Sequence, residues 1–244
     1  MCGLTSGLLG QARPRTPFAR RFRCAAEFVR VLDRGSSSVC ARGTMRCSMK
    51  PAAFPEEVLQ LRIRIRDIER PIYRVIHVTN TRTFHLLHEI IQWSFGWEHS
   101  HLYAFEIGTA RVTEPDPEFP EDVRPRHPRT TRLGDLVTRD VTRFAYTYDF
   151  GDDWIHDIAV EKRFSPDPAI RYPVCLAGAR AAPPEDCGGT SGYEGFLEAW
   201  RDPAHEEHDH VRTWAGPRYV PERFDLNLVN EILKMFRPQA PKKG

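Results

Sequence analysis

The sequence predicts an α+β fold, a largely antiparallel sheet with helices packed on one side. Two observations carry this reading: strict apolar–polar alternation dominates the early part of the chain, and helical spacing dominates the late part. A third is a hairpin of two strong strand segments, RFAYTYDF and DWIHDIAVEKRF, joined at Gly151.

The first strand is VLQLRIRIR, where Leu59, Leu61, Ile63 and Ile65 share one face and Gln60, Arg62, Arg64 and Arg66 the other. The arginine stripe reads as a solvated sheet face, because no exposed aromatics are interleaved to stack on bases. IYRVIHV follows the DIERP turn as a second strand. In TFHLLHEIIQWSF, Phe84, Leu87, Ile91 and Phe95 fall at helical spacing, with Thr81 or Thr83 to cap the start and Gly96 to end it. HLYAFEIG and ARVT return to strand, and the five prolines of EPDPEFPEDVRPRHPR make that segment a surface loop. Beyond the hairpin, PVCLAGARAAPPEDCGG reads as irregular. GYEGFLEAWRD, HEEHDHVRTWAG and FDLNLVNEILKMF then close the chain, the last with Leu226, Val229, Leu233 and Phe236 in helical register.

At 244 residues, 41% apolar and 28% charged, the chain has a globular composition and can bury a real core. No apolar run approaches membrane-spanning length and no secretory signal is evident at the start, so the expectation is a cytoplasmic protein that does not meet the membrane. Charge is unevenly divided. Residues 1–50 carry a net of +8 and residues 51–244 a net of −6, the wrong sign for a broad phosphate-binding surface on the body. Four cysteines (Cys2, Cys24, Cys40, Cys47) lie in the basic leader, leaving Cys175 and Cys187 for the body, which excludes a disulfide framework. The leader is expected to be disordered or an upstream extension from a misplaced start, with Met45 and Met49 just before the first strand; residues 54–238 are the expected domain.

Several segments together carry a more specific signal: PIYRVIHV, LLHEIIQWSFGWEHSHLYAF, YDFGDDWIHDI, CLAGARAAPPEDCGGTSGYEGFLEAW, DPAHEEHDH and FDLNLVNEIL. In this order the chain resembles the plasmid pRiA4b ORF-3-like family, some members of which carry an insertion-element passenger TnpR-like label. The resemblance implies an MM3350-like single domain without an established activity, associated with plasmids and mobile elements. Ala182 stands where the family commonly has a cysteine before PPEDCGG, which weakens any cysteine-rich metal site in that loop. The recombinase label finds no chemistry in these residues: Ile76 occupies the place of a serine nucleophile in YRVIHVT, and no tyrosine-recombinase set is evident.

Candidate chemistry centres on YDFGDDWIHDI. Asp149, Asp152, Asp153 and His156 are residue types that ligate divalent cations. If residues 152–160 form one strand, however, Asp152 and His156 stand roughly 13 Å apart, too far to share an ion. The alternative is a hairpin in which Gly151 supplies a positive φ and Phe150 and Trp154 cover the core. The DFG string has no accompanying kinase motifs. HEEHDH fails the zinc-protease spacing, since His205 and His208 are three apart and Asp209 fills the fourth place. PPEDCGG offers Glu185, Asp186 and Cys187, or else a turn at Gly188 and Gly189 that opens a helix. His99 and His101 flank Ser100. Convergence of His101, His156 and a PPEDCGG carboxylate in one cleft would suit a hydrolytic metal site.

The expectation is therefore an accessory interaction module with an unknown protein partner, no catalysis and no cofactor. The alternative is a metal-dependent hydrolase built from Asp152, His156, Glu185 and Asp186 with His101, Cys187 or His205. A second alternative is DNA binding through the leader and Arg62, Arg64 and Arg66.

Overall fold

The structure, a computed structural model, describes residues 55–115 and 124–237. The basic leader and the middle of the proline-rich loop lie outside them. Seven strands form one antiparallel sheet: β1 (Val58–Ile65), β2 (Tyr73–Thr79), β3 (Tyr103–Ile107), β4 (Ala110–Thr113), β5 (Arg143–Tyr148), β6 (Trp154–Phe164) and β7 (Val174–Ala179). Their spatial order is β4-β3-β5-β6-β1-β2-β7. The helices are α1 (Phe84–Phe95), the single turn α2 (Leu133–Leu136), α3 (Gly189–Arg201), α4 (His208–Ala215) and α5 (Leu226–Leu233), which runs on as a 3₁₀ turn, Lys234–Phe236.

The alternation in β1 sets the two faces of the sheet. Leu59, Leu61, Ile63 and Ile65 are fully buried, and the pairings Leu61↔Ile76, Ile63↔Ile158 and Ile65↔His156 carry the same face across the neighbouring strands. Tyr146↔His156 and Phe105↔Tyr146 extend it to β3. α1 lies over this face: Phe84 packs on Phe105, and Phe95 meets His156 edge-on. The opposite face is polar and open. Arg62 pairs with Glu161, Arg66 with Asp157 at 2.5 Å, and Gln60 donates to Glu161 at 2.8 Å. The expected solvated arginine face is thus a charge ladder with acids opposite the bases.

α1 starts and stops as its sequence predicts. Thr83 Oγ1 accepts the Leu86 N–H at 3.2 Å, and Gly96 ends the helix in the left-handed region at φ 87°. One cation is buried beneath it. Arg74 donates to the carbonyls of Ser94, Tyr73 and Ala179 and lies between the rings of Phe95 and Phe224, 4.6 and 4.5 Å away. Burial pulls its guanidinium down to about 10, so it stays charged at neutral pH.

Four details differ from the sequence reading. The segment read as irregular contains β7, an edge strand paired with β2; its run VCLAGA lacks clear alternation because most of its residues are half-buried. Gly151 is not the residue of positive φ in the hairpin. Asp149 (φ 59°) and Asp153 (φ 52°) take the left-handed positions, which aspartate tolerates, while the Gly151 N–H donates to Asp149 Oδ1 at 2.9 Å. Trp154 is fully buried as expected, but Phe150 is 44% exposed, with Arg111 over its ring. Finally, β6 begins at Trp154, so Asp152 belongs to the turn and not to the strand.

Candidate metal centre

The covered face of the sheet ends in a cleft of about 200 Å³ lined by His85, His88, Glu89, His99, His101, Tyr103, Glu114 and Arg129, among others. α1 supplies His85, His88 and Glu89, and the loop after it supplies His99 and His101. Tyr103 of β3 and Thr113 of β4, with Glu114 and Arg129, form the remaining wall.

His88, Glu89 and His99 each bring one ligand atom within 4.8 Å of the others. His88 sits on the buried stripe of α1, stacked on Tyr103 at 3.6 Å. Its orientation is fixed by a chain of hydrogen bonds. The His99 N–H donates to Gln92 Oε1 (3.2 Å), Gln92 Nε2 donates to the Tyr146 hydroxyl (3.0 Å), and that hydroxyl lies 2.7 Å from His88 Nδ1. Burial first, then the neighbouring His99, His85 and Arg129, pushes His88 well below its ordinary pKa, so the ring is neutral, the form that ligates metal. Burial works to raise the Glu89 carboxyl, but the hydrogen bond and charge of His99, with the charge of His85, hold it below its usual value. His99 Nδ1 is 3.5 Å from Glu89 Oε1, and its Nε2 is buried without a hydrogen-bond partner. His99 also has a positive φ of 61°, unusual for a histidine, and lies 5.2 Å ring to ring from Trp93.

Arg129 links the outer rim, donating to His85 Nε2 at 2.9 Å and to Glu114 Oε1 at 3.1 Å. His85 Nε2 therefore accepts, and Nδ1 faces the Tyr103 hydroxyl at 3.2 Å.

The second grouping joins three loops. His101, Asp149 and Asp186 also bring ligand atoms within 4.8 Å of one another. The PPEDCGG loop reaches this place because it is tied down at several points: Trp97 Nε1 donates to Pro183 O (2.9 Å), the Tyr148 hydroxyl to Glu185 Oε1 (2.7 Å), and the Gly188 N–H to Asp152 Oδ2 (3.1 Å).

Of the residues singled out from sequence, the structure thus brings together His101, Asp149 and Asp186, with Glu185 beside them on Tyr148. Asp152 serves as the staple to Gly188. His156 does not join them. It is fully buried, its Nδ1 against the carbonyls of Trp154 and Tyr146 at 2.9 and 3.3 Å, its ring among Phe95, Trp97 and Tyr146. Burial drives its pKa down to about 4. Cys187 is half-buried, and burial with the nearby Asp152 pushes its thiol up to about 12, against a thiolate nucleophile. Gly188 and Gly189 take positive φ values of 89° and 68° and open α3. His205 and His208 fold back on local backbone: the Glu207 N–H donates to His205 Nδ1 at 3.1 Å, and His208 Nδ1 lies 2.8 Å from Ala199 O.

Sequence reasoning missed His85, His88, Glu89, Glu114 and Arg129. One signal was present: His88 lies four residues after Phe84 and three before Ile91, a histidine on the apolar stripe of a helix. Glu114 and Arg129 bound the proline-rich loop, and only the fold brings them to the same rim.

This is an α+β domain with a histidine- and carboxylate-lined cleft at one end of an antiparallel sheet. Residues 57–228 match the model of the plasmid pRiA4b ORF-3-like protein family, and the chain belongs to that family. It is 36% identical over 162 residues to the uncharacterized protein y4hQ of Sinorhizobium fredii (strain NBRC 101917 / NGR234), covering 65% of this chain and 81% of that one. It is also similar to the crystal structure of MM3350 from Methanosarcina mazei Go1, a protein of unknown function, with a TM-score of 0.65 and 34% identity over 71% of this chain and 98% of that one. The MM3350-like fold expected from the sequence is the fold observed. Among the described residues, no helix is long and apolar enough to cross a membrane.

Proposed function

We propose that the domain is a divalent-metal-dependent hydrolase whose ion sits between His88, Glu89 and His99. The observation that supports this most is the pre-oriented ligand set: two histidines and a glutamate with donor atoms within 4.8 Å, one histidine held by Tyr146 and Gln92. Supporting hydrogen bonds of this kind fix ring orientation in metal sites. Two imidazoles and one carboxylate suit Zn²⁺ or another first-row divalent ion, and three protein ligands leave a position open to the cleft. An ion so placed supplies a water acidified toward neutral pH and a Lewis acid for a polarised carbonyl or phosphoryl oxygen. Arg129 on the rim presents a positive charge to an anionic group of the substrate, and Tyr103 and His88 form an aromatic wall.

The interaction-module reading stands second, favoured by the open polar face of the sheet. The DNA-binding reading draws less support, because Arg62 and Arg66 already face Glu161 and Asp157.

The test is metal analysis of protein purified without chelators or metal-affinity resin, followed by assay against chromogenic esters and phosphoesters. About one equivalent of Zn²⁺ or Fe²⁺ at His88, Glu89 and His99 and a chelator-sensitive hydrolysis, both lost in Glu89→Gln, are expected. A metal-free protein whose melting temperature ignores added Zn²⁺ and Mn²⁺ would falsify the proposal.

A further inference from the structure

We propose that His101, Asp149 and Asp186 form a second cation site, richer in oxygen than the first, that takes Mn²⁺ or a comparably hard divalent ion. It goes beyond the hydrolase reading and does not require the first ligand set to be occupied.

The geometry fits an ion between these groups. His101 Nε2 lies 3.0 Å from Asp186 Oδ1 and 3.5 Å from Asp149 Oδ2. Neither contact has hydrogen-bond geometry, and Nε2 is shielded from solvent without a hydrogen-bond partner. An ion about 2.1 Å from His101 Nε2 and from either carboxylate oxygen would see these two pairs at roughly 90° and 110°, within the range of octahedral and tetrahedral coordination, and all three ligand atoms lie within 4.8 Å of one another.

The carboxylates are placed by the fold. Asp149 is buried at the left-handed φ of 59°, and its Oδ1 accepts the Gly151 N–H at 2.9 Å, which turns Oδ2 toward His101. Asp186, also left-handed at φ 60°, is carried on the loop that Trp97, Tyr148 and Asp152 pin to the sheet.

The two sets differ in hardness. One imidazole with two carboxylates is a harder donor set than two imidazoles with one, and selects toward Mn²⁺ where the other selects toward Zn²⁺. They are also neighbours. His99 serves the first set and His101 the second, and residues two apart have Cα atoms at most about 7 Å apart. The short motif HSH therefore distributes one histidine to each site, on the wall of a single cleft.

The test uses the full chain, stripped with chelator and titrated with Zn²⁺ by equilibrium dialysis and with Mn²⁺ by the loss of the free-ion electron paramagnetic resonance signal. Wild type is expected to bind one equivalent of each. Asp186→Asn, which keeps a residue tolerant of the left-handed backbone, should lower Mn²⁺ affinity roughly tenfold or more and retain Zn²⁺. Glu89→Gln should do the reverse. Unchanged Mn²⁺ binding in Asp186→Asn, with an unchanged metal-free melting temperature, overturns the second site, as does the absence of Mn²⁺ binding in wild type. If Mn²⁺ binding depends on Asp186 while Zn²⁺ does not bind at all, the second site stands and the first falls.

Discussion

WEHSH at residues 97–101 and HEEHDH at 205–210 are both dense in histidine and acid, yet their side chains have different fates. His99 and His101 turn inward, His99 to meet His88 and Glu89 on the covering helix and His101 to meet Asp149 and Asp186 from much later in the chain. His205 and His208 settle on backbone within ten residues of themselves, at the edges of a short helix. The first stretch leads into β3, where the cover of α1 delivers residues 88 and 89, the end of the paired strand β5 delivers 149, and the pinned PPEDCGG loop delivers 186. The second lies in a helical segment that presents its charged residues to solvent. Local density of ligand residues is therefore uninformative alone; what matters is whether the register of the sheet brings complementary groups to the same place.

The strongest way to break this contrast is to remove ligands from each stretch in turn. His88→Ala combined with His99→Asn should cost the cleft about a hundredfold or more in Zn²⁺ affinity, while His205→Ala with His208→Ala should leave it within about twofold. Dialysis against buffered Zn²⁺ reads both, and equal losses in the two variants would dissolve the distinction.

The burial of a histidine in the core should also show in acid. His156 holds its folded pKa near 4, below the ordinary 6.5, because burial disfavours the imidazolium. Between those values the unfolded chain takes up a proton that the folded chain refuses. Stability is therefore full above pH 6.5 and falls as pH drops toward 4, by up to about 3 kcal/mol from this residue. Urea midpoints measured from pH 7 to pH 4.5 should show that slope, and His156→Phe should reduce it, leaving the share of the buried His88. A wild-type midpoint that does not move across the window contradicts the assignment.

A smaller effect is expected at the joint between the hairpin and the PPEDCGG loop. A β-carbon at Gly189 would sit 2.6 Å from the Asp152 carbonyl oxygen, at a φ of 68°. Gly189→Ala should destabilise the fold by roughly 2 kcal/mol and weaken Mn²⁺ binding, since Asp186 rides on the displaced loop. Thermal melts with and without Mn²⁺ separate the two consequences. Smallest of all is Arg62→Ala on the open face, expected at under about 0.5 kcal/mol because exposed ion pairs contribute little. A larger loss in chemical denaturation would show that the ladder is structural.

The sequence made the architecture legible wherever period and face coincide. In β1 every second residue is buried, and in α1 the cap, the stripe and the terminal glycine all agree. β7 escaped notice because an edge strand with half-buried residues on both sides has little alternation to read. The hairpin was legible as a turn but not in its backbone, since two aspartates took the conformation assigned to Gly151. The cleft was legible only in part. His101 and Asp186 could be named as candidates, but their meeting depends on pairings across more than eighty residues. His88 was hidden because a histidine in an apolar stripe looks the same whether it fills the core or faces a cavity.

Trp93 lies ring to ring with His99 at 5.2 Å, and this proximity gives the cleft an optical reporter. Cu²⁺ or Co²⁺ bound at His99 would quench indole emission at that distance through its unfilled d shell, whereas Zn²⁺ would leave the emission bright. Occupancy of the centre could then be followed in real time without a label, and a Trp93→Phe chain would show how much of the quenching comes from this ring and how much from the four other tryptophans.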